Sequence, residues 1–560
     1  MSAPLELKGI LAGKRIMVTS GKGGPCTVAQ LRDYLRRYQC SDTLRILGSA
    51  GEQVDEAPDN IIMTIGDEAV PAHAIPYLAL LAIEESTDIM PQTWGFCGLL
   101  VGARGLRMVR FVRESGMTTP EFERLIQMFH NLRDPISVEA TGNGDAGLEC
   151  ALRMAGSQFL HQGPMNYLVP RTLLLYRDIW PTVEKAKEVT PCADLKRLTG
   201  LELDQILLFG KAMYARTKGG FFRPYTEEDL RDRTGSLAQL LTPDAQERFL
   251  SWLSADYATI RTHAAKFIPS DEGYDPYRFN PLVKYPIIRP EIQPLGGTRS
   301  HERIHLLPCR RLLFMRVTGG LYHDLADAHA GEGRDNAFRT AFGHVFQEYV
   351  GLLLKAAFGT RVRREWPYDN DVDTPDWFVI EGDRAVVIEV KQSGQFLPSK
   401  MWGRLDDLRK DMRRTLGHAL AQLHRFDGAL ARRAPGLESL SGVRRIERLI
   451  VSYDEISWAN WILRDAAREV SGVPEDFHAH FASVHDLERM LAHCWEGSLF
   501  DLLERKRLGN SDQAEMDFHD WLTVELDPSG EARNPLLERK LDETFQAWGL
   551  ESPAERSPPK

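Results

Sequence analysis

The sequence predicts an α/β protein on three observations. From about residue 300 onward, strand-like and helix-like segments alternate, the pattern of an α/β core. Residues 385–390 form an apolar, β-branched run interrupted near its end by Glu389, which reads as a strand buried on both faces. Gly382-Asp383 separates this run from the β-prone Trp377 to Ile380, a two-residue hairpin signal.

Upstream, residues 1–110 read as a mixed α/β region. Lys14 to Thr19 is strand-like, and Val28 to Tyr38 carries apolar residues at helical spacing. Residues 111–300 read as mainly helical, with Pro120 to Leu132 and Pro243 to Leu253 as helices. Thr242 is placed to cap the second of these, and Pro243 suits its first turn. Pro276, Pro281, Pro286, Pro290 and Pro294 predict an extended arm over residues 271–300. The α/β domain then occupies 301–530, and 531–560 is expected to be a partly disordered tail.

The 560 residues carry 69 Lys+Arg against 79 Asp+Glu, a formal net charge of −10. That balance excludes a protein that coats nucleic acid by bulk charge. A hydrophobic share of 43% and a charged share of 26% exclude a disordered chain, a collagen and a coiled-coil rod. No uncharged apolar run reaches the ~20 residues of a membrane helix, and the N-terminus lacks a signal-peptide layout. The seven cysteines are scattered and form no CxxC pair. These features predict a cytoplasmic protein with reduced thiols and no membrane partner.

Several motifs are set aside. Ser20 to Thr27 (SGKGGPCT) lacks the Lys and Ser/Thr of a phosphate-binding loop, and Pro25 removes an N–H donor, so it reads as a Gly-rich turn. His301 and His305 lie on a strand pattern, where such residues are ~13 Å apart. His478 and His480, close to Glu475 and Asp476, read as a solvated polar loop. Tyr214 to Tyr225 mixes basic and aromatic residues, which suits a stacked single strand or a plain helix-to-loop junction.

The hairpin carries the chemistry. With Gly382 and Asp383 as its loop, Glu381 faces Arg384 and Asp376 faces Glu389. Opposed side chains share a face of the sheet, about 5 Å apart at Cβ. Lys391, two residues beyond Glu389, projects from that same face. Two opposed carboxylates repel each other unless a cation compensates. Oxygen ligands favour a hard ion, Mg²⁺ or Mn²⁺. Upstream, Phe342 to Leu354 reads as a buried helix through Phe342, Val345, Phe346, Tyr349 and Leu353, with Glu348 on the flank of its apolar face. Downstream, Leu405, Leu408, Met412, Leu416, Leu420 and Leu423 mark an amphipathic helix that carries Gln422 and Phe426, and Arg448 to Ser452 reads as a further strand.

The order of a helix Glu (Glu348), Pro375-Asp376 before the hairpin, Glu389-Val390-Lys391 in its second strand, and Gln422 followed by Phe426 on a helix resembles the PD-(D/E)XK nuclease superfamily. The resemblance covers about residues 331–455, with Phe426 where tyrosine is more familiar. It implies a restriction-endonuclease-like mixed sheet flanked by helices and metal-dependent hydrolysis of phosphodiester bonds, most naturally in DNA. Asp376 and Glu389 would hold the metal, with the Val390 carbonyl as a further ligand and Glu348 in support; the competing reading of Glu348 is an ion pair with an arginine from Arg361 to Arg364. Lys391 would orient the attacking water and stabilise negative charge, and Gln422 would position groups around it. The long N-terminal part resembles the architecture of prokaryotic antiviral effectors, which leaves room for a homo-oligomer or a defence-system partner. The alternative is a catalytically silent nucleic-acid-binding or regulatory protein on the same scaffold.

Positive charge is concentrated nearby. Residues 400–435 hold nine basic residues, among them Lys400 and Arg404, against four acidic ones. Arg409, Lys410, Arg413 and Arg414 are the candidate phosphate contacts; the competing reading is a solvated helix face of ion pairs.

Overall fold

The computed structural model describes residues 24–56, 62–65, 68–86, 117–132, 165, 167–231, 233, 235–269, 272–290, 304–331, 336–369, 372–392, 405–455, 459–460, 464–527 and 532–550. The strand expected at Lys14 to Thr19, most of the Gly-rich turn, His301, Lys400 and Arg404 lie outside these residues. The fold is mixed α/β with mixed sheets. No helix among the described residues is long and apolar enough to cross a membrane. Five of the cysteines, Cys26, Cys40, Cys192, Cys309 and Cys494, are free thiols, and Cys97 and Cys150 lie outside the described residues.

The five-stranded sheet is built from β1 (Val362–Arg364), β2 (Trp377–Glu381), β3 (Arg384–Lys391), β4 (Arg445–Ser452) and β5 (His480–Ser483), in the order β5-β4-β3-β2-β1. β1, β2 and β3 are antiparallel neighbours, whereas β3, β4 and β5 run parallel. The hairpin has the expected register, with Glu381 opposite Arg384 and Trp377 opposite Ile388. Gly382 has φ +69° while Asp383 does not share the left-handed region, the backbone pattern of a II′ hairpin turn. Both sheet edges end in short strands, and Arg363 and Arg364 on β1 place charge where another chain would otherwise pair.

One face of the sheet packs on α1 (Ala337–Phe358), whose Phe342, Val345, Phe346, Tyr349 and Leu353 are buried as their spacing predicts. The contact is close. A Cβ on Gly351 would lie 2.0 Å from Cζ2 of Trp377, whose ring is fully buried and whose Nε1 donates to the Gln347 carbonyl at 2.9 Å. The other face packs on α2 (Leu405–Arg414) and α3 (Leu416–Ala431), which bury Leu408, Met412, Leu420, Leu423 and Phe426 against Phe378, Val387 and Ile450. The single helix expected there is broken at Thr415, where the backbone leaves helical geometry and the side-chain hydroxyl donates to the Asp411 carbonyl at 2.7 Å.

The core behind α1 crosses the boundary expected at residue 300. Leu173, Phe209 and Phe249 share it with Phe342, Tyr349 and Trp377. So does Trp548 of the helix Pro535–Trp548, which stands where a tail was expected. A buried ion pair ties these parts together. Arg171 donates to both carboxylate oxygens of Glu488 on α4 (Val484–His493), at 2.7 and 2.5 Å, and Tyr349 of α1 donates to the same carboxylate at 2.6 Å. Thr242 caps its helix by accepting from the Ala245 N–H at 3.2 Å. The proline-rich arm carries short helical turns at Glu272–Tyr277 and Pro281–Val283 and a strand at Ile287–Arg289. That strand joins a second, four-stranded sheet with Phe221–Phe222, Ser254–Asp256 and His305–Leu306. Against this sheet, helices Val28–Leu35, Cys40–Glu56, Ala74–Glu85 and Thr119–His130 form a separate core through Leu31, Leu44, Leu78 and Leu125. The basic–aromatic segment is used internally: Arg216 lies over the Tyr225 ring, and the Gly219 and Gly220 N–H groups donate to Glu52.

His480 corrects the loop reading of its segment. It lies on β5, fully buried, with neither ring nitrogen hydrogen-bonded. Its Nε2 lies 3.4 Å from Glu447 Oε2, while Arg507 engages the other oxygen, Oε1, at 2.8 Å. Burial, followed by Lys506, Arg507 and Arg464, pushes its pKa well down. Burial, then His480, pushes His478 down to about 3.

Two stability predictions follow from this packing. Gly351→Ala should cost about 1–3 kcal/mol in urea unfolding through overpacking against Trp377, where the same change in an open helix stabilises by roughly 1 kcal/mol; a neutral result refutes the close contact. Below the unfolded-state histidine pKa of about 6.5, the unfolded chain takes up a proton that folded His480 refuses. Its contribution is therefore intact above that pH and lost as the pH falls below it. Urea titrations at about pH 7 and about pH 5 should show wild type losing more stability than His480→Phe; equal losses refute the assignment.

Candidate active site

The end of the central sheet gathers five of the expected residues. Asp376 lies one residue before β2, beyond the last β2–β3 pair. Its Oδ2 accepts from the Val390 N–H at 2.6 Å. A strand residue's N–H and C=O leave on the same edge, so the Val390 carbonyl emerges on the Asp376 side of β3. Glu389, 3% exposed, receives a hydrogen bond from Lys391 Nζ at 2.5 Å. Lys391 Nζ also donates to Gln422 Oε1 at 2.8 Å, linking the hairpin to α3.

Asp376 is the strained member. Burial, and next the Glu389 carboxylate, push its pKa well above the ordinary carboxylate value, against the opposing pull of the Val390 N–H and Lys391. Glu365 adds to the upward push. It stands across from Asp376, its N–H donating to the Asp376 carbonyl at 2.9 Å.

Glu348 was expected to support this cluster, and the structure instead pairs it with Arg364 of β1 at 2.7 Å. The contact from α1 comes from the preceding residue: Gln347 Nε2 donates to Asp376 Oδ1 at 2.8 Å. Adjacent helix positions differ by about 100° in direction, enough to exchange one partner for another. Gln347 carries no sequence signal of its own, since a buried glutamine on an apolar helix reads as packing. Gln392, next to Lys391, has a buried amide oxygen without a hydrogen bond and lies against Gly343 of α1.

The expected phosphate contacts divide. Arg409 lies 3.7 Å from Asp406 and 3.6 Å from Glu469, and Lys410 lies 3.4 Å from Asp407. Arg413 and Arg414 are exposed.

No group of three or more His, Cys, Asp or Glu side chains among the described residues is arranged to hold a metal ion. A Mg²⁺ site does not require one, because Mg²⁺ keeps several waters and uses one or two carboxylates with substrate phosphates. The donors Asp376, Glu389 and the Val390 carbonyl are oxygens of the type such an ion takes, and burial, followed by the Glu389 carboxylate, favours the protonated form of Asp376 when no cation is near. No protein-family model matches the chain, and no curated protein or solved structure is detectably similar to it.

The geometry separates two neighbouring residues. Gln347→Leu removes one of the two donors to the Asp376 carboxylate, and on the metal-site reading should weaken Mn²⁺ binding, read by calorimetry, about 10-fold or more. Glu348→Gln should leave it within about twofold, since that carboxylate is committed to Arg364. The reverse order of effects refutes this placement.

Proposed function

We propose that the chain is a Mg²⁺- or Mn²⁺-dependent nuclease of the PD-(D/E)XK type, with a restriction-endonuclease-like domain, acting on DNA. One observation carries the reading: Asp376, Glu389 and Lys391 meet at the end of adjacent strands, with Lys391 held between Glu389 and Gln422. Asp376, Glu389 and the Val390 carbonyl would hold the ion. When bound, such an ion lowers the pKa of a water and offsets charge on the phosphate oxygens.

The remaining work belongs to the chain itself. Lys391 carries a cation to the reacting phosphate from a fixed position, where a preoriented charge is worth most. Gln422 fixes that ammonium from α3, and Gln347 fixes Asp376 from α1. The part of the chain before residue 300 would gate or direct this activity, as in an antiviral effector. A second reading, a silent scaffold that only binds, has its own support. Lys391 and both oxygens of Asp376 already have partners within the protein.

Incubation with plasmid, linear duplex, single-stranded DNA and RNA, in Mg²⁺, Mn²⁺ or EDTA, distinguishes the two. The nuclease reading expects metal-dependent cleavage of DNA, reduced at least about 100-fold in Asp376→Ala and in Lys391→Ala. No cleavage of any substrate, with binding undiminished in both variants, supports the silent scaffold instead.

A further inference from the structure

We propose that Arg363 and Arg425, with the His418 imidazole beside them as a further hydrogen-bond donor, form a rim beside the carboxylate cluster that holds the phosphodiester backbone of DNA. The proposal rests on the nuclease reading of the site and assigns its substrate contacts to residues other than those the basic helix suggested.

The argument begins with which cations are already neutralised. Arg409 and Lys410 have carboxylates within 3.7 Å, and Arg364 is paired with Glu348. Arg432 is bound to Asp369, and Arg448 to Asp427. A phosphate approaching any of these must displace a carboxylate already in place. Arg363, His418 and Arg425 are exposed and enter no ion pair among the described residues.

Their positions converge. On α3, His418 lies four residues before Gln422 and Arg425 three after it, so all three share one side of the helix. Gln422 is the residue of that side that reaches Lys391. Arg363 is directly opposite Phe378, so its side chain leaves β1 on the face that α3 covers. Phe378 in turn meets the ring of Phe426, the neighbour of Arg425, at 5.6 Å. Two unpaired arginines therefore border one aromatic contact, and a histidine lies two turns along α3 from Arg425. This row runs past Lys391, the cation that the nuclease reading places at the reacting phosphate. Each strand of a duplex carries a phosphate about every 3.4 Å along its axis, so a backbone laid along the row meets these donors and Lys391 in turn.

Fluorescence anisotropy of a labelled DNA duplex in EDTA, titrated with NaCl, tests the assignment. Arg363→Gln and Arg425→Gln should each weaken binding about five- to tenfold at 0.1 M salt and lower the salt slope by about one. Arg409→Gln and Lys410→Gln should change affinity by less than about twofold. Unchanged affinity and slope in the first pair, a larger loss in the second pair, failure of the wild-type chain to bind, or tighter binding of an RNA duplex through the same residues would each overturn the rim. Adding Mg²⁺ to the same samples separates the two readings. Cleavage with unaltered binding in Arg363→Gln and Arg425→Gln removes the rim and keeps the nuclease. Rim-dependent binding with no cleavage keeps the rim and removes the nuclease.

Discussion

The pairing register of β2 with β3 is the constraint on which the candidate site depends. Side chains alternate along a strand, so a slip of one residue would carry Glu389 and Lys391 to the α1 face and bring Ile388 and Val390 to the α3 face. Two interactions hold this register from its two ends, and a third carries it on to β4. The two-residue turn at Gly382-Asp383 fixes the pairing from its closed end. The Asp383 carbonyl accepts from the Arg444 and Arg445 N–H groups, at 2.7 and 3.2 Å, and so aligns β4 with β3 from its first residue. Trp377 seals the open end, its ring pressed on Gly351 and its Nε1 bound to α1. With these in place, the meeting of Asp376 with the Val390 N–H follows from geometry.

The helix that completes the site is itself positioned from behind. α1 supplies Gln347 to Asp376 on one side and Tyr349 to the Glu488 carboxylate on the other. Glu488 is fully buried and bound by Arg171 through two hydrogen bonds. A buried pair of this kind contributes little net stability against an apolar substitute, yet removing one partner costs about 3–5 kcal/mol because the other charge is stranded. Its effect here is to specify one arrangement of the helix containing Arg171, α1 and α4. The helical region before residue 300 is thereby part of the support of the site.

What could be read in the sequence follows the range of the interactions. The hairpin is local: a two-residue loop, a β-branched run and a period of two fix Asp376, Glu389 and Lys391 without distant information. α1 and the Thr242 cap are local in the same sense. The exchange of Glu348 for Gln347 depends on helix phase and on the edge-strand partner Arg364, neither of which spacing settles when the apolar face wraps most of the helix. His480 was hidden because Glu475 and Asp476 set a polar tone, while its burial arises from β4 and from Lys506 and Phe518, far along the chain. The packing across residue 300 was hidden for the same reason, since Arg171 and Glu488 are 317 residues apart. The break at Thr415 is a local event that a continuous leucine pattern conceals.

Charge links the site to the rest of the molecule. An acidic chain repels a polyanion except where its cations outnumber nearby carboxylates, and at Arg409 and Lys410 they do not. At the cluster the problem is reversed. Lys391 is already engaged with Glu389, so Asp376 is left with neutral donors, the Gln347 amide and the Val390 N–H. A buried carboxylate in that position resolves its repulsion by taking a proton or by sharing a cation with Glu389. Neutral donors serve either state, because they orient both oxygens without supplying the missing charge. An arginine in place of Gln347 would have satisfied Asp376 permanently. The glutamine leaves both resolutions, the proton and the shared cation, open.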